Sequence, residues 1–535
     1  MKKSLVALVL AIVMMMTCVS ALAVEGPNQD MSIFPLTDEK ITVTMMHAYT
    51  DVMPSDWSTV WFWQQLEELT NVHIEFIPVP SSDRATTLNL RLASADLPDI
   101  LFKMAVSSTQ AAQYGGEGLL IDLNQYKDVM PNFNYWLDAY PTARNAVTQA
   151  DGNIYGCPYI LTGYAIRMGS RFFFNSQVLE HAGYATPPAT LDEFYDYLTK
   201  IKGWDYNENG EDDTLPLALS EWEDLEYILT GSFGVMNRGS SNYWADQAED
   251  GKARFWHTAD GYKELMRYYN KLYSEGLVDP DIFTATFADE IAKAQNGRAL
   301  TYVFVNNSPV SGSKYEQYTV PMTEPLAGYD GTKAWNAFSM PASTSSNFCI
   351  TAKCPEEYRE IMAKWADYFY SIEGIVAYFM GEEGESYTYD AATDTYALTD
   401  KILKDPEGRN FEAVQSAWCT WAGGMNPSCA TNELFKGGET WPVSLESAAG
   451  LINYTPDKQE GGAVWAPFLF DSEVASDVSA MTTDFDTYLG EWAAKFITGE
   501  KNVDSDWEEY VNGFNALGVQ DYLDLINEKI EALGL

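Results

Sequence analysis

Histidine is scarce in this 535-residue chain. The four residues, His47, His73, His181 and His257, leave little material for a histidine-rich metal centre. Basic residues are also few: 33 Lys and Arg stand against 77 Asp and Glu, a formal net charge of −44. Such a surface repels phosphates, which excludes a nucleic-acid binder and a polybasic membrane-surface protein. Long apolar runs are missing after the N-terminus. The one present, Leu5 to Met16, has 12 residues, short of the roughly 20 that a spanning helix needs. Catalytic signatures are missing as well. No H-E-x-x-H, phosphate loop or G-x-G-x-x-G occurs, and Thr230 stands where a G-x-S-x-G around Ser232 would need glycine.

What is present begins with a leader. Lys2 and Lys3 precede the apolar run, and Ala21-Leu22-Ala23 follows it, the pattern of a secretory signal peptide over 1–23. Met15 to Cys18 offers a competing lipoprotein-like box, which would anchor the chain through Cys18. Thr17 is large for the position before a lipidated cysteine, so cleavage before Val24 is favoured, giving a secreted, extracytoplasmic protein. The mature chain keeps Cys157, Cys349, Cys354, Cys419 and Cys429, an odd number that leaves at least one thiol unpaired. Cys349 with Cys354 and Cys419 with Cys429 are near enough in sequence to pair. Buried apolar cysteines are the equal alternative, since a chain this long needs no disulfide staples.

A composition of 46% apolar and 14% aromatic residues supports substantial cores. Ile41 to Met46, Val72 to Val79 and Asp99 to Lys103 read as strands. Helices over Trp57 to Leu69 and Asp83 to Ser94 separate them, Asp83 being the expected cap. This β-α-β-α-β order predicts a parallel sheet with right-handed crossovers. After Asp151 to Gly156 the pattern restarts, with strands at Phe172 to Phe174, Leu215 to Leu219 and Ala299 to Val305. Phe348 to Ile350 leads into a helix over Pro355 to Tyr370, and the C-terminal third is helical. The helical tryptophans Trp365 and Trp492 are expected in the core.

One local motif carries specific chemistry. Asp205, Asn207, Asn209, Gly210, Glu211 and Asp213 fit D-x-N-x-N-G-x-x-D, in which side-chain oxygens converge on a hard cation around a glycine turn. Pro216 replaces the glutamate of a standard paired hand. A single structural Ca2+ loop is the expectation, a plain polar turn the alternative.

Several stretches resemble one family: Glu68 to Ile74, Leu90 to Ile100, Asp151 to Cys157, Leu179 to Tyr184 with Pro188 to Phe194, Gly381 to Gly384 before Tyr387, Phe496 to Glu500, and Trp507 to Leu523. Their order over residues 40–525 is similar to that of extracellular solute-binding proteins of ABC importers, in the branch with large oligosaccharide-binding members. The resemblance implies an α/β, two-lobed periplasmic-binding-protein-like fold of type II, whose discontinuous lobes are joined by a hinge and close over a solute. The expected division is 24–157 with 306–347 for lobe 1, and 158–305 with 348–535 for lobe 2, with crossings near 156–165, 305 and 345–355. It further implies a monomer that is no enzyme and that delivers an oligosaccharide or other small solute to a membrane permease. Relatives of the alginate-binding type carry a similar calcium loop with an acidic residue where Thr214 stands. A secreted carbohydrate-active enzyme or a glycan-binding surface protein is the alternative, and a peptide binder on the same scaffold a third.

Sugars present apolar C–H faces and hydroxyl rims, which suit aromatic rings and planar polar groups. Ligands of open α/β sheets sit beyond the carboxyl ends of strands. That rule selects Tyr49, Lys103, Trp222 and Asn306 after strands, Tyr164 and Arg167 near the first crossing, and Trp335 and Trp421 in irregular stretches.

Overall fold

Alternation along Ile41 to Tyr49 decides the first sheet. In the computed structural model, which describes residues 26–305, 314–343, 345–393, 395–407, 409, 411–431, 434 and 442–535, this stretch is β1 (Ile41–Tyr49). The leader with Cys18, and Asn306, lie outside the described residues. The chain continues through α1 (Trp61–Thr70), β2 (Val72–Pro80), α2 (Arg84–Ser94) and β3 (Ile100–Val106). Val43 and Met45 point to one face, against Trp57 and Trp63, while Met46 and Ala48 point to the other, with Leu88 and Leu92 of α2. Period-two burial on both faces is what a central parallel strand requires. β2 pairs parallel to β1 from Ile41 opposite Val72 to Tyr49 opposite Pro80, and β3 pairs on its other side. Asn71 ends α1 in the left-handed region, φ 61°. Asp83 stands at the start of α2 but makes no side-chain cap hydrogen bond there.

The chain then leaves through β4 (Ile160–Leu161) and builds a second sheet. Its strands β5 (Arg171–Asn175), β6 (Tyr302–Phe304) and β7 (Thr319–Pro321) are joined by helices that include α3 (Trp222–Leu229), α4 (Asp260–Ser274) and α5 (Phe287–Gln295). β5 lies between β6 and β7, antiparallel to both, and Ala218 bridges to Tyr302 in parallel. β8 (Ser346–Ile350) returns antiparallel to β3, completing the first sheet in the order β8-β3-β1-β2. α6 (Glu356–Tyr368) and α7 (Ile372–Met380) pack beside Trp57 and Trp63, with Trp365 fully buried. β9 (Cys429–Ala430) precedes the last return. There α8 (Ser472–Thr498), α9 (Trp507–Ala516) and α10 (Val519–Leu533) cover the second core, with Trp492 among its buried residues. Cys157, Cys349, Cys354, Cys419 and Cys429 are all buried, and no disulfide bridges either candidate pair.

Two cores therefore form, and three segments cross between them side by side. Cys157 N donates to Phe348 O (2.9 Å) and Leu161 N to Pro341 O (2.7 Å). Ile160 N donates to Ser428 O (3.0 Å) and Thr162 N to Ala430 O (3.0 Å). The first crossing lies where expected. The one expected near 305 does not: β6 lies inside the second sheet, and the segment after it re-pairs there as β7. Residues 345–355 carry the second crossing into the first sheet, and the third follows Ser428. The described residues of 315–340 thus belong with the second core and those of 348–430 with the first, the reverse of what was expected for these two stretches. A strand's pattern shows that it is buried, not which sheet it joins.

Two candidate ligand residues prove to be core. Trp335 is 0% exposed, and its Nε1 donates to Met168 O (3.0 Å). Trp222 does not stand in a loop; it opens α3 and is buried in the same core. Also buried is Glu226 of α3, whose oxygens accept from Tyr243 Oη (2.8 Å) and Tyr262 Oη (2.7 Å). Burial pushes its carboxyl up to about 8, against those two hydrogen bonds. His257, 3.9 Å away, is held far below the imidazole range by burial and offers no counter-charge.

Replacing Trp335 by alanine should cost about 3–5 kcal/mol in urea unfolding; unchanged stability would return it to the candidate ligand residues. The raised carboxyls also set a pH dependence. Glu226 and Glu290 stand at about 8, Asp224 and Asp367 at about 7. The folded state then holds protons that the unfolded chain has released, so stability falls as pH rises from about 5 to about 8. Glu226→Gln should flatten that fall in a Tm series across this range, and a slope equal to wild type would contradict it.

Candidate functional site

The carboxyl ends of β1, β2 and β3 are where ligands of open α/β sheets sit, and so mark a candidate wall of a crevice. Tyr49 ends β1 half-buried, and its carbonyl accepts from Ser81 Oγ (2.9 Å), which ties the ends of β1 and β2 together. Over them lies the loop after the short helix Phe411–Gln415, residues 417–426. Gly423 sits at φ 76°, and a Cβ there would come within 2.3 Å of Thr50 Cγ2, so only glycine allows the loop this close to β1. The Arg84 guanidinium meets Met425 Sδ from the start of α2. Trp421 is half-buried, its Nε1 donating to Gln415 Oε1 (3.2 Å) and its ring lying 6.2 Å from that of Phe379. These two aromatic residues, Tyr49 and Trp421, are the candidates that the fold does bring to one wall.

Lys103 lies beneath this wall rather than on it. It is 2% exposed, and its Nζ donates to Thr420 O (3.0 Å), Trp421 O (3.2 Å), Ala422 O (2.8 Å) and Asn426 Oδ1 (2.9 Å). With four protein oxygens on the ammonium, Lys103 is a structural cation and not a free ligand donor. The sequence rule failed here because Lys103 lies within β3, which runs on to Val106.

The remaining candidates lie beside the second core. Tyr164 is half-buried in the turn Tyr164–Arg167 that follows the first crossing. Arg167 Nε donates to Ser339 O (2.9 Å), and its guanidinium stacks 4.2 Å from the Phe338 ring centroid. It therefore joins the first crossing to the second, and burial lowers its pKa to about 10. At the carboxyl end of Leu215 to Leu219, Asp224 hydrogen-bonds Ser170, and burial raises it to about 7. Arg84, Gly423 and Met425 escaped sequence reasoning. The Gly-Gly pair after Trp421 was the only signal for them.

Residues 205–213 curl around their own amides. Asp205 accepts from Asn209 N (3.1 Å) and Gly210 N (2.9 Å), and Asn209 Oδ1 accepts from Glu211 N (2.8 Å). Glu208 (φ 56°) and Gly210 (φ 78°) supply the left-handed residues of the turn. Asn207 Nδ2 donates outward to Asn296 O (3.2 Å), leaving Oδ1 turned to the loop, where Asn209 N lies 3.3 Å away. Asp213 pairs with Arg298 Nε (2.8 Å), and Thr214 Oγ1 turns back to Trp204 O (2.9 Å). No group of three His, Cys, Asp or Glu side chains able to hold a metal is assembled among the described residues. The donors are all hard oxygens, which fits calcium chemistry, with the Arg298 charge opposing it at the ninth position.

Comparisons with known proteins agree with this architecture. The chain is 25% identical, over 97% of its length and 96% of the relative's, to the fructooligosaccharide ABC transporter substrate-binding protein FusA of Streptococcus pneumoniae. The structure of FusA in complex with kestose superimposes with a TM-score of 0.76 at 23% identity, covering 92% of this chain and 99% of that one. An "EF-hand mutant" of FusA with fructo-nystose matches equally, at 24% identity. A solute-binding protein associated with an HMO-binding ABC transporter of Bifidobacterium longum infantis follows, with a TM-score of 0.74 and 21% identity over 92% and 98% of the two chains. These relatives are binding components of transporters rather than enzymes. The description "bacterial extracellular solute-binding protein" matches residues 61–410, and the chain belongs to that extracellular family.

Proposed function

We propose that this chain is the substrate-binding component of an ABC importer and that it captures an oligosaccharide between its two lobes. The observation that carries the reading is the end-to-end match to FusA, which covers both chains almost completely. The three bonded crossings supply the means. A bilobed protein closes by bending such a hinge, and a ligand drives closure only through contacts it makes better in the closed form. Tyr49 and Trp421 offer ring faces from one lobe, and Tyr164 and Arg167 stand at the hinge beside the other. The closed surface then meets the permease outside the membrane, with the leader removed after Ala23. A glycan-degrading alternative would release product from a labelled sugar.

The same reading includes one calcium ion in the loop 205–213, held by oxygens of Asp205, Asn207, Asn209 and Asp213 with the carbonyl of Glu211. The ion would supply positive charge that gathers these oxygens and stiffens the turn. Its role would be structural, since Asn207 ties the loop to Asn296 at the end of α5.

A thermal-shift panel of oligosaccharides that includes kestose tests the transport reading. A sugar at a hundred times its Kd adds about 2.7 kcal/mol of stability, and the sugar should be recovered intact. Trp421→Ala should weaken binding roughly tenfold, about 1.4 kcal/mol. Silence across the panel, or release of product, overturns the proposal. For calcium, chelation should lower the Tm of the wild type and leave Asp205→Ala unmoved; identical curves with and without chelator would refute it.

A further inference from the structure

β3 contains two non-glycine residues in the left-handed region, Lys103 (φ 55°) and Ala105 (φ 51°). Such residues are rare inside strands, and they persist only where the surroundings over-determine them. Here the pairing with β8 slips between Ser346 and Phe348, a bulge facing the same stretch of β3. A bulge re-aims a side chain, and the side chain concerned is that of Lys103.

Its target is the crevice loop. Three successive carbonyls, of Thr420, Trp421 and Ala422, converge with Asn426 Oδ1 on the one ammonium. Converging carbonyl dipoles repel unless a cation sits at their focus. The rest of the loop is tied down around this point. The carbonyls of Ala417 and Trp418 accept from Trp61 N (3.1 Å) and Phe62 N (3.0 Å) at the start of α1. Thr420 Oγ1 accepts from Trp63 Nε1 (3.1 Å), and Asn426 Oδ1 also accepts from Tyr378 Oη (2.8 Å). Asn426 Nδ2 closes the curl by donating to Trp421 O (3.0 Å). The segment left half-exposed between these anchors is the one that carries Trp421.

We propose that Lys103 is a positioning residue for the ligand: its buried ammonium replaces a bound cation, curls residues 420–426, and so presents Trp421 to the crevice. The inference rests on the transport reading for what Trp421 contacts, but not for how the loop is held. It adds a pH limit. Burial lowers the Lys103 pKa well below the ordinary range, opposed by Glu412 on the helix Phe411–Gln415. The other titratable groups facing it are neutral. Burial holds His47 of β1 at about 3 and raises the Tyr378 phenol of α7. Loss of the Lys103 proton frees the carbonyls to diverge.

The test uses Lys103→Met and Lys103→Arg in the full mature chain. Leu198→Ala, in the second core, serves as a control of comparable stability loss. Two readouts separate the loop from the ligand: amide hydrogen exchange over 420–426 without sugar, and kestose affinity by calorimetry. Lys103→Met should speed that exchange and weaken kestose binding, each at least tenfold, while Leu198→Ala moves neither. In wild type, kestose affinity should fall on the alkaline side, and Lys103→Arg, whose charge persists, should shift that fall to higher pH. Retained loop protection in Lys103→Met, or lost protection with unchanged affinity, overturns the proposal. If Lys103→Met does not fold, Asn426→Ala removes one oxygen and keeps the ammonium, and it should change both readouts in the same direction. A wild type that binds no sugar of the panel sinks the transport reading, and the exchange measurement then decides the loop assignment alone.

Discussion

The architecture depends on three chain segments that cross between the cores while hydrogen-bonded to one another. A single covalent crossing would leave two tethered domains free to tumble. Three crossings without mutual bonds would expose unpaired backbone groups at the hinge, where each costs free energy once water is excluded. Residues 157–163, 341–343 with 345–348, and 428–431 meet both conditions, because their amides and carbonyls bond one another across the crossing. The consequence is topological. Thr162 bonds Ala430, 268 positions away, so neither lobe is complete until most of the chain has been made. Such distant pairing brings slow, late assembly, in keeping with a protein that folds after export.

The same constraint explains how the first sheet is finished. β1, β2 and β3 come from consecutive sequence, but the outer face of β3 stays open until β8 arrives from beyond residue 345. An unpaired edge there would be an aggregation surface. α6 then covers Trp57 and Trp63, and its Asp367 reaches the helix Pro131–Ala139 as a cap. Asp367 accepts from Phe133 N (2.8 Å) and Asn132 Nδ2 (2.8 Å). Among 77 acidic residues, those with buried tasks such as Asp367 and Glu226 are each held by named hydrogen-bond donors. Most of the rest are solvating charge.

Local periodicity was legible, and partnership was not. The βαβαβ start could be read because alternating and helical patterns follow each other within about 60 residues. Trp365 and Trp492 could be placed in the core because each lies on the apolar stripe of a helix. Trp222 and Trp335 were misplaced because an irregular backbone looks the same in sequence whether it lines a crevice or fills a core. The Trp335 indole finds its acceptor at Met168, 167 positions away. Lys103 was misread for a related reason: a lysine after an apolar run usually reaches solvent, and only the distant carbonyls of 420–422 make burial tolerable. Asn306 lies outside the described residues.

Burying an ammonium is costly unless every proton on it is matched by an acceptor. At Lys103 the acceptors are backbone groups and one amide, which makes the arrangement insensitive to most side-chain changes in the loop itself. Trp421 could vary while Thr420 to Ala422 still offered the same three carbonyls. Gly423 and Gly424 are exceptions, since Thr50 leaves no room for a Cβ at Gly423 and Gly424 stands at φ 68°. A frame of this kind separates what holds the loop from what the loop displays. Related chains could then present different surfaces to different sugars without rebuilding the sheet beneath, which is how one fold comes to host many ligands.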